Sequence, residues 1–177
     1  ELSADQEALR DGIAELLAGR FDIGRVRACA NLPGAVDRDR WREIGEAGVF
    51  SLRRPESDGG LGLGIVDATV VFEELGAALV PGPLVWTEIT ARVVDGAASG
   101  DVVVGGVEEA EGAGTPTVIE HLDGVDTLVR LDPDGHSRIA ALETLSDKLE
   151  YTLERFAETA RDAQTANVAG ARWVEMA

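Results

Sequence analysis

Trp41–Leu79 reads WREIGEAGVFSLRRPESDGGLGLGIVDATVVFEELGAAL, and the reading of its centre decides the fold. Within it, Arg53–Gly64 (RRPESDGGLGLG) places Gly59, Gly60, Gly62 and Gly64 behind a pair of arginines. A dinucleotide-binding loop needs G-x-G-x-x-G between a strand and a helix, so that backbone N–H groups face a pyrophosphate. The four glycines do not have that spacing, and Pro55 ends any strand leading into them. A P-loop needs G-x-x-x-x-G-K-[ST], and the stretch holds no lysine. The residues predict a tight bend between two helices.

Outward from the bend, the pattern on both sides is helical. Ser3 and Gln6 form a capping-box pair ahead of the stripe Leu9, Ile13, Leu16 and Leu17. Asp37 or Asp39 can cap a second helix carrying Trp41 and Ile44, closed by Gly48. Ile65–Leu79 reads as a largely buried helix with Val66, Val70, Leu75 and Leu79 near one face. Pro81 and Pro83 stop it, and Leu84–Val94 is a further candidate helix.

After Gly96 the texture changes. Asp101–Val107 (DVVVGGV), Thr115–Glu120 (TPTVIE) and Thr127–Leu131 (TLVRL) are short β-rich runs separated by Gly and Asp. Asp132-Pro133-Asp134-Gly135 is a turn signal, with Arg138–Leu142 as the returning strand. From Thr144 the period is helical again, through Leu145, Leu149, Leu153 and Phe156, with Ala-rich turns toward the end. The order predicts an α+β chain: a helical domain over 1–95, a small antiparallel β domain over 96–143, and a long helix over 144–177.

Composition narrows the classes. With 177 residues, 45% hydrophobic and 28% charged, the chain has a globular make-up. A net charge of −17 disfavours nucleic-acid or anionic-membrane binding, which needs a basic face. No apolar run approaches the roughly 20 residues of a membrane span, and no secretory leader is visible, so a cytoplasmic address is expected. Cys29 is the lone cysteine and excludes an intramolecular disulfide.

The Trp41–Leu79 stretch resembles the amino-terminal helical domain of the acyl-CoA dehydrogenase family, where "W..l...G..g...PE..GG.G" precedes a helix ending in "EELG". Trp41, Gly45, Gly48, Pro55, Glu56, Gly59, Gly60, Gly62, Glu73, Glu74, Leu75 and Gly76 fall in step in one register. The resemblance implies a helical domain, a small β domain and a carboxy-terminal helical bundle. It also implies FAD as cofactor and oxidation of an acyl-CoA thioester to the 2,3-enoyl-CoA. There a glutamate takes the α-proton and the flavin accepts the β-hydride.

The pattern departs from the family in two places. The family's "TEP..GSD" strand, which touches the flavin, is replaced by Asp101–Glu109 (DVVVGGVEE), so no flavin contact is carried over. The later helix reaches Ala177 near where an "R.QFG" segment would begin, so the carboxy-terminal bundle is largely absent and no catalytic base is assigned. The expectation is either a fragment of the enzyme or a subunit completed by a partner. Three classes follow: an acyl-CoA dehydrogenase-like flavoprotein, a non-catalytic subunit of a heteromeric acyl-CoA dehydrogenase, or a helical interaction module without a ligand. The first two imply a homo- or hetero-oligomer, since an Ala160, Ala163, Ala166 stripe on the last helix needs something to pack on and the sheet is too small to cover it.

By the same resemblance, Pro81–Glu88 (PGPLVWTE) begins the wall of the acyl pocket, making Leu84, Trp86 and Thr87 candidate substrate contacts. Against this stands core packing for Leu84 and Trp86 and a helix cap for Thr87. His121 and His136 are the only histidines and lack any metal-ligand spacing, so structural or solvent roles are expected. Glu73 and Glu74 point about 100° apart on a helix and cannot serve one site together. Arg53 and Arg54 are expected as a solvated surface pair.

Overall fold

The computed structural model describes residues 2–108, 119–131, 137–141 and 172–175. Five α-helices and four strands are built from them: α1 Ala4–Ala18, α2 Ile23–Cys29, α3 Arg38–Glu46, α4 Ile65–Ala77 and α5 Leu84–Thr90, then β1 Val104–Glu108, β2 Thr127–Leu131, β3 Ser137–Ala141 and β4 Arg172–Glu175. The Ser3–Gln6 capping box opens α1, the Ser3 hydroxyl accepting from the Gln6 N–H at 3.2 Å. Asp37, not Asp39, caps α3, accepting from the Asp39 and Arg40 N–H groups. Gly48 then takes the left-handed conformation at φ 86° that ends the helix. The seven-residue α2, capped by Asp22, is too short to register as periodicity in the sequence.

A main core joins the helices to the sheet, and a smaller cluster of Ala91, Ala97, Val104 and Val129 lies beside it. Trp41 and Phe50 meet with ring centroids 4.8 Å apart and planes tilted 34°. Ile44, Leu52, Val71 and Leu75 surround them, and Val103, Val125 and Leu128 join the same cluster from the sheet side. Each such side chain contributes about 1.5–3 kcal/mol by leaving water. On α4, Val70 and Leu75 are buried as expected, whereas Val66 and Leu79 are exposed. Leu79 lies past the end of α4 with φ 54°, where the helical period no longer applies.

The glycine stretch is a bend. The N–H groups of Gly59, Gly60 and Gly62 go to the carbonyls of Glu56, Pro55 and Arg54, and that of Gly64 to the Asp67 carboxylate. All four donors are spent inside the protein, so none faces a phosphate. Close backbone contact explains Gly60: a Cβ there would stand 2.1 Å from the Arg54 carbonyl oxygen.

The sheet has the order β1-β2-β3-β4. β2 with β3 and β3 with β4 are antiparallel, but β1 pairs with β2 in parallel, Val104 opposite Thr127 and Glu108 opposite Leu131. This corrects the expectation of an antiparallel β domain. The cause is the long connection between β1 and β2, which returns the chain to the start of β1 as a parallel pair requires. There Asp126 accepts from the Val103 N–H at 2.8 Å and is clasped by Arg38, fixing where β2 begins. Over Thr115–Glu120, the described Ile119 and Glu120 are not strand, and the Asp132–Gly135 turn lies outside the described residues.

The expected helix over 144–177 is corrected at its far end. Arg172–Glu175 forms β4, with Trp173 opposite Ala140 and Val174 opposite Ile139. Trp and Val in succession suit a pleated strand better than the Ala-rich residues ahead of them. The remaining residues of that expected helix, with Ala160, Ala163 and Ala166, lie outside the described residues.

Candidate functional site

A groove of about 560 Å³ opens between α4, α5 and β1. Phe72, Pro83, Leu84 and Trp86 supply its apolar walls, and Glu120 and His121 stand on its polar margin. Gly76, Gly82 and Gly106 also line it, removing side chains from three places around the opening. Gly82 is required twice over: its φ is 117°, and a Cβ would lie 2.5 Å from the Trp41 ring. Gly106 lies directly against the Trp86 indole.

The structure places two of the three residues predicted to meet substrate, Leu84 and Trp86, on the groove. Thr87 is elsewhere. It is fully buried, and its hydroxyl exchanges hydrogen bonds with β1, donating to the Val104 carbonyl at 3.2 Å and accepting from the Val104 N–H at 3.1 Å. Thr87 thus fastens the helix that carries Leu84 and Trp86.

The paired arginines provide the second fastening. Arg53 grips Glu88 with both arms, Nε to Oε1 at 2.9 Å and Nη2 to Oε2 at 2.6 Å. The Glu88 side chain is only 5% exposed, against 34% for Arg53, so this is a largely buried pair and not the solvated one expected. The hydrogen-bonded Glu88 carboxylate raises the Arg53 pKa and keeps it charged. Arg54 adds a bond to the Ala91 carbonyl at the end of α5, at 3.3 Å. A wall helix of seven residues is held at its middle by β1 and at its end by the glycine bend.

His121 also reaches the turn ahead of α3. With φ 58°, it brings Nδ1 to 2.6 Å from the Gly34 carbonyl. A carbonyl oxygen only accepts, so Nδ1 carries a proton and donates it to Gly34. His136 lies outside the described residues. Glu73 is exposed and Glu74 half-buried, in keeping with separate faces. Among the described residues no group of His, Cys, Asp and Glu is arranged to hold a metal ion.

A second hollow of about 360 Å³ lies under α2, lined by Arg20, Arg25, Arg40, Asp37 and Cys29 among others. Glu43 bridges Arg20 and Arg40, and Arg25 pairs with Asp22, so charge is balanced within the protein. Burial and then Asp37 push the Cys29 thiol up, away from thiolate chemistry.

The residues described do not fit a flavin. The glycine N–H groups of the bend are consumed, and β1 offers no side-chain hydroxyl. Its Gly105 and Gly106 are covered by Val125, Leu128 and Trp86. The groove residues that sequence reasoning passed over include Phe72 and Gly106. The Gly-Gly pair inside a Val-rich run was the available signal, since glycine in a strand marks a close approach.

Known proteins place this architecture. Over 89 residues the chain is 39% identical to the acyl-CoA dehydrogenase IpdE2 of Mycolicibacterium smegmatis, covering 50% of this chain and 29% of that protein. It superposes on a variant of the Tcur3481-Tcur3483 steroid ACAD with TM-score 0.63 and 21% identity, over 78% of this chain and 48% of the other. The ChsE4-ChsE5 complex from Mycobacterium tuberculosis gives TM-score 0.57 and 18% identity, over 80% and 48%. These two likenesses are of fold alone. The chain thus spans less than a third of the curated relative and about half of either structural neighbour. The model of the acyl-CoA dehydrogenase amino-terminal domain matches residues 3–100, more than half of the chain, and the chain belongs to the acyl-CoA dehydrogenase family.

Proposed function

We propose that the chain serves in the FAD-dependent α,β-dehydrogenation of an acyl-CoA thioester to its 2,3-enoyl-CoA, in the cytoplasm, with the α4–α5–β1 groove receiving the acyl group. The observation that carries this is the placing of Leu84 and Trp86, with Phe72 and Pro83, around one apolar opening. Such walls draw an acyl chain out of water at about 0.8 kcal/mol per buried methylene. Thr87 and Glu88 contribute by holding the wall in place, through Val104 and Arg53. FAD, when bound, supplies the redox chemistry. Its contacts and the base that takes the α-proton are assigned to residues beyond those described, or to a partner subunit.

A second reading is a non-catalytic subunit of a heteromeric acyl-CoA dehydrogenase. Two observations favour it: both structural neighbours carry two-component names, and β1 lacks a flavin-facing hydroxyl. The test is the visible absorption spectrum of the native protein with whatever co-purifies, followed by acyl-CoA binding. Stoichiometric flavin and retained acyl-CoA support the first reading. Flavin held only by a co-purifying subunit supports the second. Folded protein that takes up neither FAD nor acyl-CoA, with or without a partner, sinks both.

A further inference from the structure

We infer that Gly106 is a specificity-determining position, which sets the width of the acyl group admitted by controlling where the Trp86 indole lies. This rests on the groove being the acyl site. A Cβ on Gly106 would stand 1.9 Å from Trp86 Cδ2, 2.1 Å from Cε3 and 2.2 Å from Cε2. Ordinary contact begins near 3.4 Å, so any side chain at 106 displaces the ring bodily. Retreat of the whole helix is resisted by the two residues that follow Trp86, Thr87 bonded to Val104 and Glu88 to Arg53. The indole therefore turns about its own side-chain bonds, away from β1 and into the groove that it lines.

With glycine at 106 the ring lies flat on the strand and the groove keeps its volume of about 560 Å³. That is within the range of roughly 300–1,000 Å³ found for small-molecule pockets. The feature of the substrate read by position 106 is therefore the breadth of the acyl part, a ring or branch set against a straight chain. Because the control acts through Trp86, removing the indole should abolish any effect of a side chain at 106.

The experiment uses the full-length protein with its native partner, and compares octanoyl-CoA with 3-cyclohexylpropanoyl-CoA by calorimetric binding. Gly106→Ala should weaken the cyclohexyl ligand by about tenfold or more relative to octanoyl-CoA, the discrimination typical of one misfitted group in an apolar pocket. Trp86→Ala should shift the preference the other way, and the double variant should behave as Trp86→Ala. Protein labelled with 5-fluorotryptophan gives an independent readout, the Trp86 signal (assigned by Trp86→Phe) moving in Gly106→Ala. Should Gly106→Ala fail to fold, the direction of the Trp86→Ala preference decides alone. An unchanged preference in folded Gly106→Ala, or a double variant as narrow as the single one, overturns the inference and leaves the proposed function standing. Wild-type protein that binds neither acyl-CoA overturns the proposed function and this selectivity together.

Discussion

Replacing Arg53 with leucine is expected to destabilise the protein by about 2–3 kcal/mol. The reasoning starts from Glu88, whose carboxylate is almost wholly enclosed and takes both of its short charge-assisted bonds from Arg53. Removing one member of a fully buried pair costs about 3–5 kcal/mol, because the survivor remains charged and desolvated. Here a third of the Arg53 side chain reaches solvent, so water can enter the vacated space and the cost is discounted. Replacing both residues, as Arg53→Leu with Glu88→Leu, removes the stranded charge and should return stability to within about 1 kcal/mol of wild type. The assay is urea unfolding of wild type, both single variants and the double variant, read as a double-mutant cycle. In thermal unfolding the single change should lower Tm by about 4–12 °C for a chain of this size. A single variant within about 0.5 kcal/mol of wild type would refute the reasoning. So would a double variant no more stable than Arg53→Leu.

Thr87→Val keeps the shape of the side chain but strands the Val104 N–H and carbonyl, and should cost about 2–3 kcal/mol, with Thr87→Ser restoring most of it in the same unfolding assay. Gly82→Ala forces a β-carbon into the Trp41 ring at φ 117°, and a loss of about 2 kcal/mol or more is expected by denaturant titration. Arg40, and then Arg20, hold the Glu43 carboxyl below its ordinary range. The stability this contributes is present at neutral pH and is lost as acid carries the protein through the lowered folded value. Denaturation at stepped pH should therefore show wild type more stable than Glu43→Gln at pH 7, with the gap closing in acid. Cys29 should react with a thiol reagent only through local opening, about tenfold or more slowly than in unfolded protein, followed by absorbance at fixed pH.

Local chemistry made much of the helical part readable in advance. The Ser3–Gln6 box, the Asp37 cap and the glycine bend each rest on residues within a few positions of one another. Thr127–Leu131 was equally plain, as a β-branched run bounded by Asp126 and the turn signal after it. What escaped was decided at a distance. The parallel pairing of β1 with β2 rests on a connection long enough to return the chain, and nothing in DVVVGGV announces it. The Arg53–Glu88 pair spans 35 positions, so two arginines beside a proline looked like surface. The family resemblance of Pro81–Glu88 nominates Thr87 for the wall, whereas its hydroxyl is bonded to the Val104 backbone of β1. Leu84 and Trp86 could be nominated for the groove, while the β1 floor they face was signalled only by its Gly-Gly pair.

The seven residues of α5 have a consequence for motion. A helix of two turns has almost no stability of its own in water, since it cannot recover the cost of nucleation. Its free energy of opening is therefore that of its attachments, and the amides of Thr87–Thr90 should exchange with solvent together with those of Gly60–Leu63 in the bend. Two segments separated in the chain would then open as one cooperative unit. A ligand that gripped Trp86 would slow hydrogen exchange at Arg54 and Gly62, which touch no part of the groove.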